Sequence, residues 1–166
     1  MQLSPLLLVF IVGLLPIAEI RGAIPLAFAL FRDDSSQLLL GVALGIVGNL
    51  LIAPLVISLL DYVEKWVMYS KHSPRALRRI YSWVLNIARR RAENVKSGGY
   101  VALALFVAVP LPVTGAWTGS LIAYLLGMDR KRAIAAIELG VLGASAIVFA
   151  VVYLGVEVLK RIFLLP

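Results

Sequence analysis

Two oppositely charged residues, Glu19 and Arg21, interrupt a long apolar stretch near the beginning of the sequence. The run AEIRGAIP, residues 18–25, also contains Gly22 and Pro25, residue types that weaken or break a helix. A charge at the centre of a membrane costs about 2.5 to 3.5 kcal/mol on insertion scales. A charged pair inside the membrane is therefore a candidate functional site. Here Arg21 can hold an anion while Glu19 takes up and releases a proton. A structural ion pair between the two is the alternative.

A second apolar stretch is broken by polar and helix-breaking residues nearly a hundred positions later. The run VPLPVTGAWTGS, residues 109–120, contains no charge. Its hydroxyl and indole groups are able to bind a phosphate or another polar head group, or to pack and bond back to helix carbonyls. The candidate binding residues of this run are Pro110, Pro112, Thr114, Gly115, Trp117 and Thr118.

Two polar residues inside the remaining apolar stretches are further candidates. Asn49, near Pro54, can line a cavity or hydrogen-bond to a neighbouring helix. Glu138 is a second candidate for proton exchange or for pairing with Arg21, with a water-facing carboxylate as the alternative.

The composition is that of an integral membrane protein. Of the 166 residues, 61% are hydrophobic, against about 45 to 50% in a soluble domain. There is no cysteine and a single His72, and we find no nucleophile with a base, no metal cluster and no nucleotide motif. We therefore expect no enzyme and no cofactor. We attribute the net charge of +7 to contact with anionic membrane lipids and expect no nucleic-acid partner.

Hydropathy predicts two helices that cross the membrane, residues 37–60 and 133–159. At 1.5 Å per residue they reach about 36 and 40 Å, against a hydrocarbon core of about 30 Å. The regions 3–31 and 99–128 are each broken in the middle, by Pro16, Gly22 and Pro25 in the first and by Pro110, Pro112 and Gly115 in the second. Their halves of roughly 10 to 13 residues are too short to cross, so we predict two re-entrant hairpins.

The basic residues predict how the protein is oriented in the membrane. Nine Lys and Arg lie between Asp61 and Gly98, and three more follow the second broken region. The positive-inside rule makes segment 61–98, predicted to be a basic amphipathic helix from Ser73 onward, cytoplasmic in a multi-pass protein of the cell membrane.

The predicted fold is a single all-α membrane domain over residues 1–166, built as an inverted repeat. Each unit is a re-entrant hairpin followed by a transmembrane helix, and the units are offset by about 95 residues. Small or polar residues at a spacing of four, which suit close helix packing, occur in both transmembrane helices: Gly41, Gly45 and Asn49, then Ala136, Gly140 and Ala144.

The motifs E-x-R-G-A-I-P (residues 19–25) and P-L-P-x-T-G-A-W-T-G (residues 110–119) resemble those of the small multidrug export family, a relative of the DedA and VTT superfamily. The resemblance spans nearly the whole chain. It implies two facing re-entrant hairpins and transbilayer movement of lipids such as polyprenyl phosphates, coupled to an ion gradient. Glu19 matches the important acidic position, whereas the second motif lacks the arginines, whose role passes to Arg21 or Arg130.

Three functions follow as hypotheses. The first is a proton-coupled transporter of an anionic lipid such as a polyprenyl phosphate. The second is a proton-coupled exporter of small molecules or drugs, which Arg21 disfavours because it competes with a cationic drug for Glu19. The third is a non-transporting membrane scaffold. Because four short membrane elements bury little surface, a homodimer is expected.

Overall fold

A computed structural model describes residues 4–69, 99–112 and 114–163, together with the isolated positions 74, 79, 80, 82, 83 and 86. All regular elements in this part of the chain are helices, as the sequence predicts. They are α1 (Pro5–Leu14), α2 (Glu19–Leu30), α3 (Ser35–Leu50), α4 (Ile52–Tyr69), α5 (Gly99–Ala108), α6 (Ala116–Leu125) and α7 (Arg130–Phe163).

The two broken regions each consist of two short helices. These helices have 10 and 12 residues in the first region and 10 and 10 in the second. At 1.5 Å per residue each is only about 15 to 18 Å long. The interruptions are residues 15–18, called the first break below, and residues 109–115, the second break.

The expectation that Gly22 and Pro25 break the helix is wrong. Both lie inside α2, and the chain leaves helical geometry earlier, around Pro16. The physical reason is tertiary packing, because neighbouring helices can re-satisfy the backbone that a proline frees within a membrane helix. Gly22 is a packing residue instead, since an added Cβ would lie 2.8 Å from the Cβ of Ala18.

Among the described residues, two stretches are long and apolar enough to cross a membrane, Ser35–Tyr69 and Arg130–Val158. Each begins at an aspartate. The Asp34 carboxylate accepts 3.0 Å hydrogen bonds from the amides of Ser36 and Gln37, and that of Asp129 accepts one of 3.0 Å from the Arg132 amide. Such N-caps satisfy amides that lack a partner within the helix.

The first long stretch extends beyond its predicted end at residue 60. A single turn residue, Leu51, separates α3 from α4, and α4 continues to Tyr69. Residues 61–69 of the predicted basic segment are therefore helix α4, whose Tyr62, Trp66 and Tyr69 are exposed. Most of the remaining segment, including Ser73, lies outside the described residues.

Glycines let the short helices approach the long ones closely. A Cβ at Gly45 of α3 would lie 2.8 Å from the Ala23 side chain of α2. A Cβ at Gly140 of α7 would lie 2.6 Å from the Ala104 carbonyl oxygen of α5. Helix α1 packs mainly on α3 and α5 mainly on α7, so both long helices carry their short neighbours on small-residue surfaces.

The two long helices run in opposite directions. Asn49 of α3 and Ala144 of α7 line the same cavity. Further along the first stretch, Asp61 forms a 3.3 Å ion pair with Arg130, which is the first residue of α7. Following one helix forward from the cavity therefore leads to the beginning of the other.

Candidate functional site

Glu19 and Arg21 form a direct ion pair at the start of α2. A guanidinium nitrogen of Arg21, Nη2, donates to the Oε2 atom of Glu19 at 2.9 Å. Side chains two residues apart do not face each other on a regular helix. The contact is possible because Glu19 has a φ of 48°, in the left-handed region that few non-glycine residues adopt. The two charged side chains therefore contact each other directly, although only one residue separates them in the sequence.

The carboxylate of Glu19 also lies at the N-terminus of α6, on the other side of the site. Its Oε1 atom accepts a 3.3 Å hydrogen bond from the backbone amide of Trp117. Gly115, the N-cap residue of α6, makes this approach possible, because a Cβ there would lie 1.6 Å from Oε2. The side chain of Glu19 is only 2% exposed. One carboxylate thus joins Arg21 of α2 to the positive N-terminal end of α6.

The C-terminal end of α1 is held in a complementary way. The indole Nε1 of Trp117 donates to the carbonyl oxygen of Leu14 at 3.0 Å. The side-chain amide of Asn49 donates to the carbonyl oxygen of Gly13, also at 3.0 Å. Both carbonyls belong to the last turn of α1, where helix carbonyls lack intrahelical donors. Trp117 therefore contributes its backbone amide to Glu19 and its side chain to α1.

The second break is held by its own residues. The hydroxyl of Thr114 lies 2.6 Å from the carbonyl oxygen of Val109 and 2.8 Å from that of Leu111, and it accepts a hydrogen bond from the Leu111 amide at 3.2 Å. The Leu111 amide also donates to the Val109 carbonyl oxygen at 2.8 Å. Thr114 therefore closes the loop.

A cavity lies between the ion pair, the second break and the two long helices. It contains about 220 Å³ of empty space, including the space at its mouth, and its enclosed part has room for about one water molecule. Its polar lining includes Glu19, Arg21, Asn49 and Thr114. Within the described part of the chain, the second guanidinium nitrogen of Arg21, Nη1, is buried and has no hydrogen-bond partner.

The remaining predicted residues divide between the cavity wall and positions away from it. Pro110 and Gly115 line the cavity. Gly22, Pro25, Pro112, Trp117 and Thr118 are outside the lining, with Trp117 acting through its hydrogen bonds. Glu138 is half-buried on α7 and also outside the lining, and the carboxylate that pairs with Arg21 is that of Glu19. Arg130 is bound to Asp61 and Ser58 instead.

Sequence reasoning missed part of the apolar wall. The cavity is also lined by apolar residues beside Ala144, namely Ile20, Val107, Val109, Ala116 and Val141. Ala144 carried a signal, since it belongs to the small residues spaced by four in the second long helix. The carbonyls of Gly13 and Leu14 carried none, because a backbone atom has no sequence signature.

Known proteins provide a limited comparison. Searches of the curated proteins and of the solved structures gave no match. A family model does match, from residue 19 to residue 147, and this range begins at the buried glutamate and includes Arg21, Asn49, the second break and Trp117. The chain therefore belongs to the family described as "Putative small multi-drug export protein".

Proposed function

We propose that this protein is a membrane transporter that moves an anionic lipid head group, such as that of a polyprenyl phosphate, across the bilayer together with a proton. The observation that carries the proposal is the Nη1 atom of Arg21, which is buried beside the cavity and has no hydrogen-bond acceptor among the residues that the structure describes. Buried polar groups without partners are rare and call for an explanation. An anionic oxygen is the natural acceptor for a guanidinium, which binds phosphate in a planar, bidentate way.

The depth of the cavity supports a transport site. Asn49 is 14 residues beyond the first residue of α3, and Ala144 is 14 residues beyond the first residue of α7. At 1.5 Å per residue each lies about 21 Å from its capped end, which is half of a bilayer about 40 to 45 Å thick including head groups. If both helices cross the membrane, the cavity is at its midplane.

The two breaks then belong to re-entrant hairpins in an inverted repeat. Their side chains agree with this arrangement, because Ile17, Val109 and Leu111 are exposed at the breaks, where a loop in water would present polar groups. Broken helices that meet at the midplane of an inverted repeat form the binding sites of many transporters. The resemblance of the motifs at residues 19–25 and 110–119 to those of DedA relatives also supports transport of a lipid.

Charge balance links the anion to a proton. The site now contains one cation, Arg21, and one carboxylate, Glu19, in contact with each other. Adding an anion would leave a net negative charge in a medium of low dielectric constant, which is costly unless Glu19 takes up a proton. Protonation of Glu19 weakens its interactions with Arg21 and with the N-terminus of α6. A guanidinium and a helix N-terminus are also groups that bind phosphate well. The anion and the proton are therefore bound and released together.

The cavity also requires the helices to move. Its enclosed part holds about one water molecule, which is less than a phosphate group needs. Glu19 is the contact through which α2 holds α6, so protonation of its carboxylate releases one helix from the other. The same event then frees the binding groups and opens the space between them.

Proteoliposomes that contain a labelled polyprenyl phosphate test the proposal. We expect the wild-type protein to move the head group to the opposite leaflet faster under an imposed proton gradient, and Glu19→Gln to lose this dependence on the gradient. Glu138→Gln is a matched control, since it removes a half-buried carboxylate outside the cavity lining. Equal translocation by the wild type and Glu19→Gln would exclude Glu19 as the coupling group.

Export of a cationic drug is the second candidate, and the family description favours it. Its difficulty is that both oxygens of Glu19 are engaged, one by Arg21 and one by the Trp117 amide. Accumulation of a fluorescent cation in cells that lack or overproduce the protein separates the two functions, and unchanged accumulation excludes drug export. A scaffold without transport activity predicts that Glu19→Gln lowers thermal stability while every flux stays unchanged.

A further inference from the structure

We infer that the cavity opens sideways into the lipid at the second break, where the head group of a lipid enters while its hydrocarbon chain stays in the bilayer. The opening is formed by Val109, Pro110 and Thr114, called the lateral mouth below. The inference rests on the transport of a lipid proposed above. It adds the route that the head group takes and the surface on which the hydrocarbon chain packs.

The burial of the lining residues locates the opening of the cavity. Val109 lines the cavity and is 47% exposed, and Pro110 and Thr114 line it and are half-buried. Arg21 is also half-buried, with 20% of its side chain exposed. Every other lining residue is buried. Within the part of the chain that the structure describes, the cavity therefore reaches the surface at the second break, beside Arg21.

The protein surface around the lateral mouth is apolar. Leu111 and Pro112 are exposed after Val109 in the chain, and Leu105 and Val101 are 63% and 66% exposed before it. The Val109 amide donates to the Leu105 carbonyl oxygen at 3.2 Å, which continues the helical turn of α5. Residues spaced by four lie on one helix face, so the exposed face from Val101 to Val109 is about 12 Å long. A hydrocarbon chain has an apolar surface to pack on up to the mouth.

The depth of the lateral mouth places it in hydrocarbon. Helix α5 begins beside α7, because the Tyr100 hydroxyl accepts a 3.1 Å hydrogen bond from the amide of Asp129, the residue that caps α7. Val109 is nine residues beyond Tyr100, or about 14 Å further in. The head-group layer on each side of a bilayer is only roughly 5 to 7 Å thick. If α7 crosses the membrane as proposed, the mouth therefore opens below the head groups.

A lipid is the kind of ligand that suits such an opening. The polar end of the route is the Nη1 atom of Arg21, which is buried and has no acceptor among the described residues. A soluble anion such as inorganic phosphate approaches from water, whereas this opening faces hydrocarbon. A lipid is already held in the bilayer by its chain, which packs on Leu105 and Val109 while the head group reaches Arg21.

Collision measurements on spin-labelled protein test where the mouth opens, and they require no transport. Because the chain contains no cysteine, Val109→Cys provides a single thiol for a nitroxide label. Lys131→Cys, at an exposed position in the first turn of α7, is the surface reference. In phosphatidylcholine vesicles, we expect the label at position 109 to collide mainly with oxygen, which concentrates in hydrocarbon, and the label at 131 mainly with a water-soluble nickel chelate. A label at position 109 that collides mainly with the nickel chelate would overturn the inference.

Blocking the mouth tests whether the head group passes through it. Ile17→Cys is the matched control, because Ile17 is 92% exposed at the first break and lies outside the cavity lining. Each variant is reconstituted with labelled polyprenyl phosphate, and its translocation rate is measured before and after reaction with a bulky maleimide. We expect the reaction to slow Val109→Cys several-fold and to leave the rate of Ile17→Cys unchanged. An unchanged rate for Val109→Cys, or an equal loss in both variants, contradicts the lateral mouth.

The same experiments separate this inference from the proposed function. If no protein moves the lipid, the wild type included, the function is wrong, and the collision measurement still decides whether the mouth faces lipid. If the wild type moves the lipid and the modified Val109→Cys does so at its full rate, the function stands and the mouth is wrong. Excess inorganic phosphate should not slow translocation by the wild type, and competition would mean that the site opens to water.

Discussion

The first and the second break occupy corresponding positions in the chain, and their polar groups are satisfied in different ways. Thr114 follows Glu19 by 95 residues, and Asp129 follows Asp34, the cap of the other long helix, by the same number. At the second break, Thr114 bonds to its own loop. At the first, Glu19 reaches across to the Trp117 amide, and Trp117 and Asn49 bond back to the end of α1.

The hydrogen bonds of Thr114 at the second break are local, whereas those at the first break come from other helices. The hydrogen bonds of the Thr114 hydroxyl stay within the second break and do not depend on another helix. A break that is held by groups on α3 and α6 changes when those helices move or when the charge of Glu19 changes. Glu19 lies beside the break that depends on other helices, and it contacts both Arg21 and the Trp117 amide.

The largest effect is expected from Gly115→Ala. The new Cβ would lie 1.6 Å from Oε2 and 2.2 Å from Cδ of Glu19, so the carboxylate must leave both Arg21 and α6. Disrupting a buried ion pair costs about 3 to 5 kcal/mol, and we expect a loss of about 4 kcal/mol in unfolding free energy. Thermal unfolding in detergent measures it. Gly155→Ala is the matched control, since nothing lies within 4 Å of that position, and it should match the wild type or exceed it.

Glu19→Ala should have the next largest effect, because it leaves the guanidinium of Arg21 without its carboxylate. Arg21 is 20% exposed, so some solvent screening remains and we expect a loss of about 3 kcal/mol. The double variant Glu19→Ala with Arg21→Ala should lose less than the sum of the single variants, since it removes both charges. Additive losses in thermal unfolding would show that the two side chains stabilise the fold independently.

Thr114→Val should have a smaller and local effect. It removes the hydroxyl that joins Val109 to Leu111 and is expected to cost about 1 kcal/mol, the usual contribution of a hydrogen bond. Thr118→Val is the control, since that half-buried hydroxyl makes no hydrogen bond in the described part of the chain. If Thr114→Val destabilised the protein as much as Glu19→Ala, the second break would also be held by groups outside its own loop.

Trp117→Phe should have the smallest effect on stability. It removes the hydrogen bond from Nε1 to the Leu14 carbonyl oxygen and keeps the backbone amide that binds Glu19. We expect a loss of about 1 kcal/mol or less, with the coupling of translocation to the proton gradient retained. Trp66→Phe, which alters a half-exposed indole on α4, serves as the control. Loss of the proton coupling in Trp117→Phe alone would mean that the indole positions Glu19.

Much of the fold could be predicted from the sequence, because its signals are local. A run of apolar residues is long enough to cross a membrane or it is not, and prolines and glycines mark the interruptions. These local signals are enough to predict the helices and both interruptions. They also identify four of the residues that line the cavity: Glu19, Arg21, Asn49 and Thr114. The start of helix α2 could not be predicted in this way. Pro25 is accommodated inside α2 because neighbouring helices bury Ala23 and Ile24.

The sequence by itself determined that this chain is a helical membrane protein with two interrupted regions, one of them charged. Only the tertiary structure decided how those regions join: Glu19 pairs with Arg21 through a left-handed backbone and contacts an amide 98 residues away. Hydropathy and periodicity depend on residues close in the chain, whereas Gly115 is needed because a distant carboxylate lies where its side chain would be. Contacts of that kind exist only after the helices have packed.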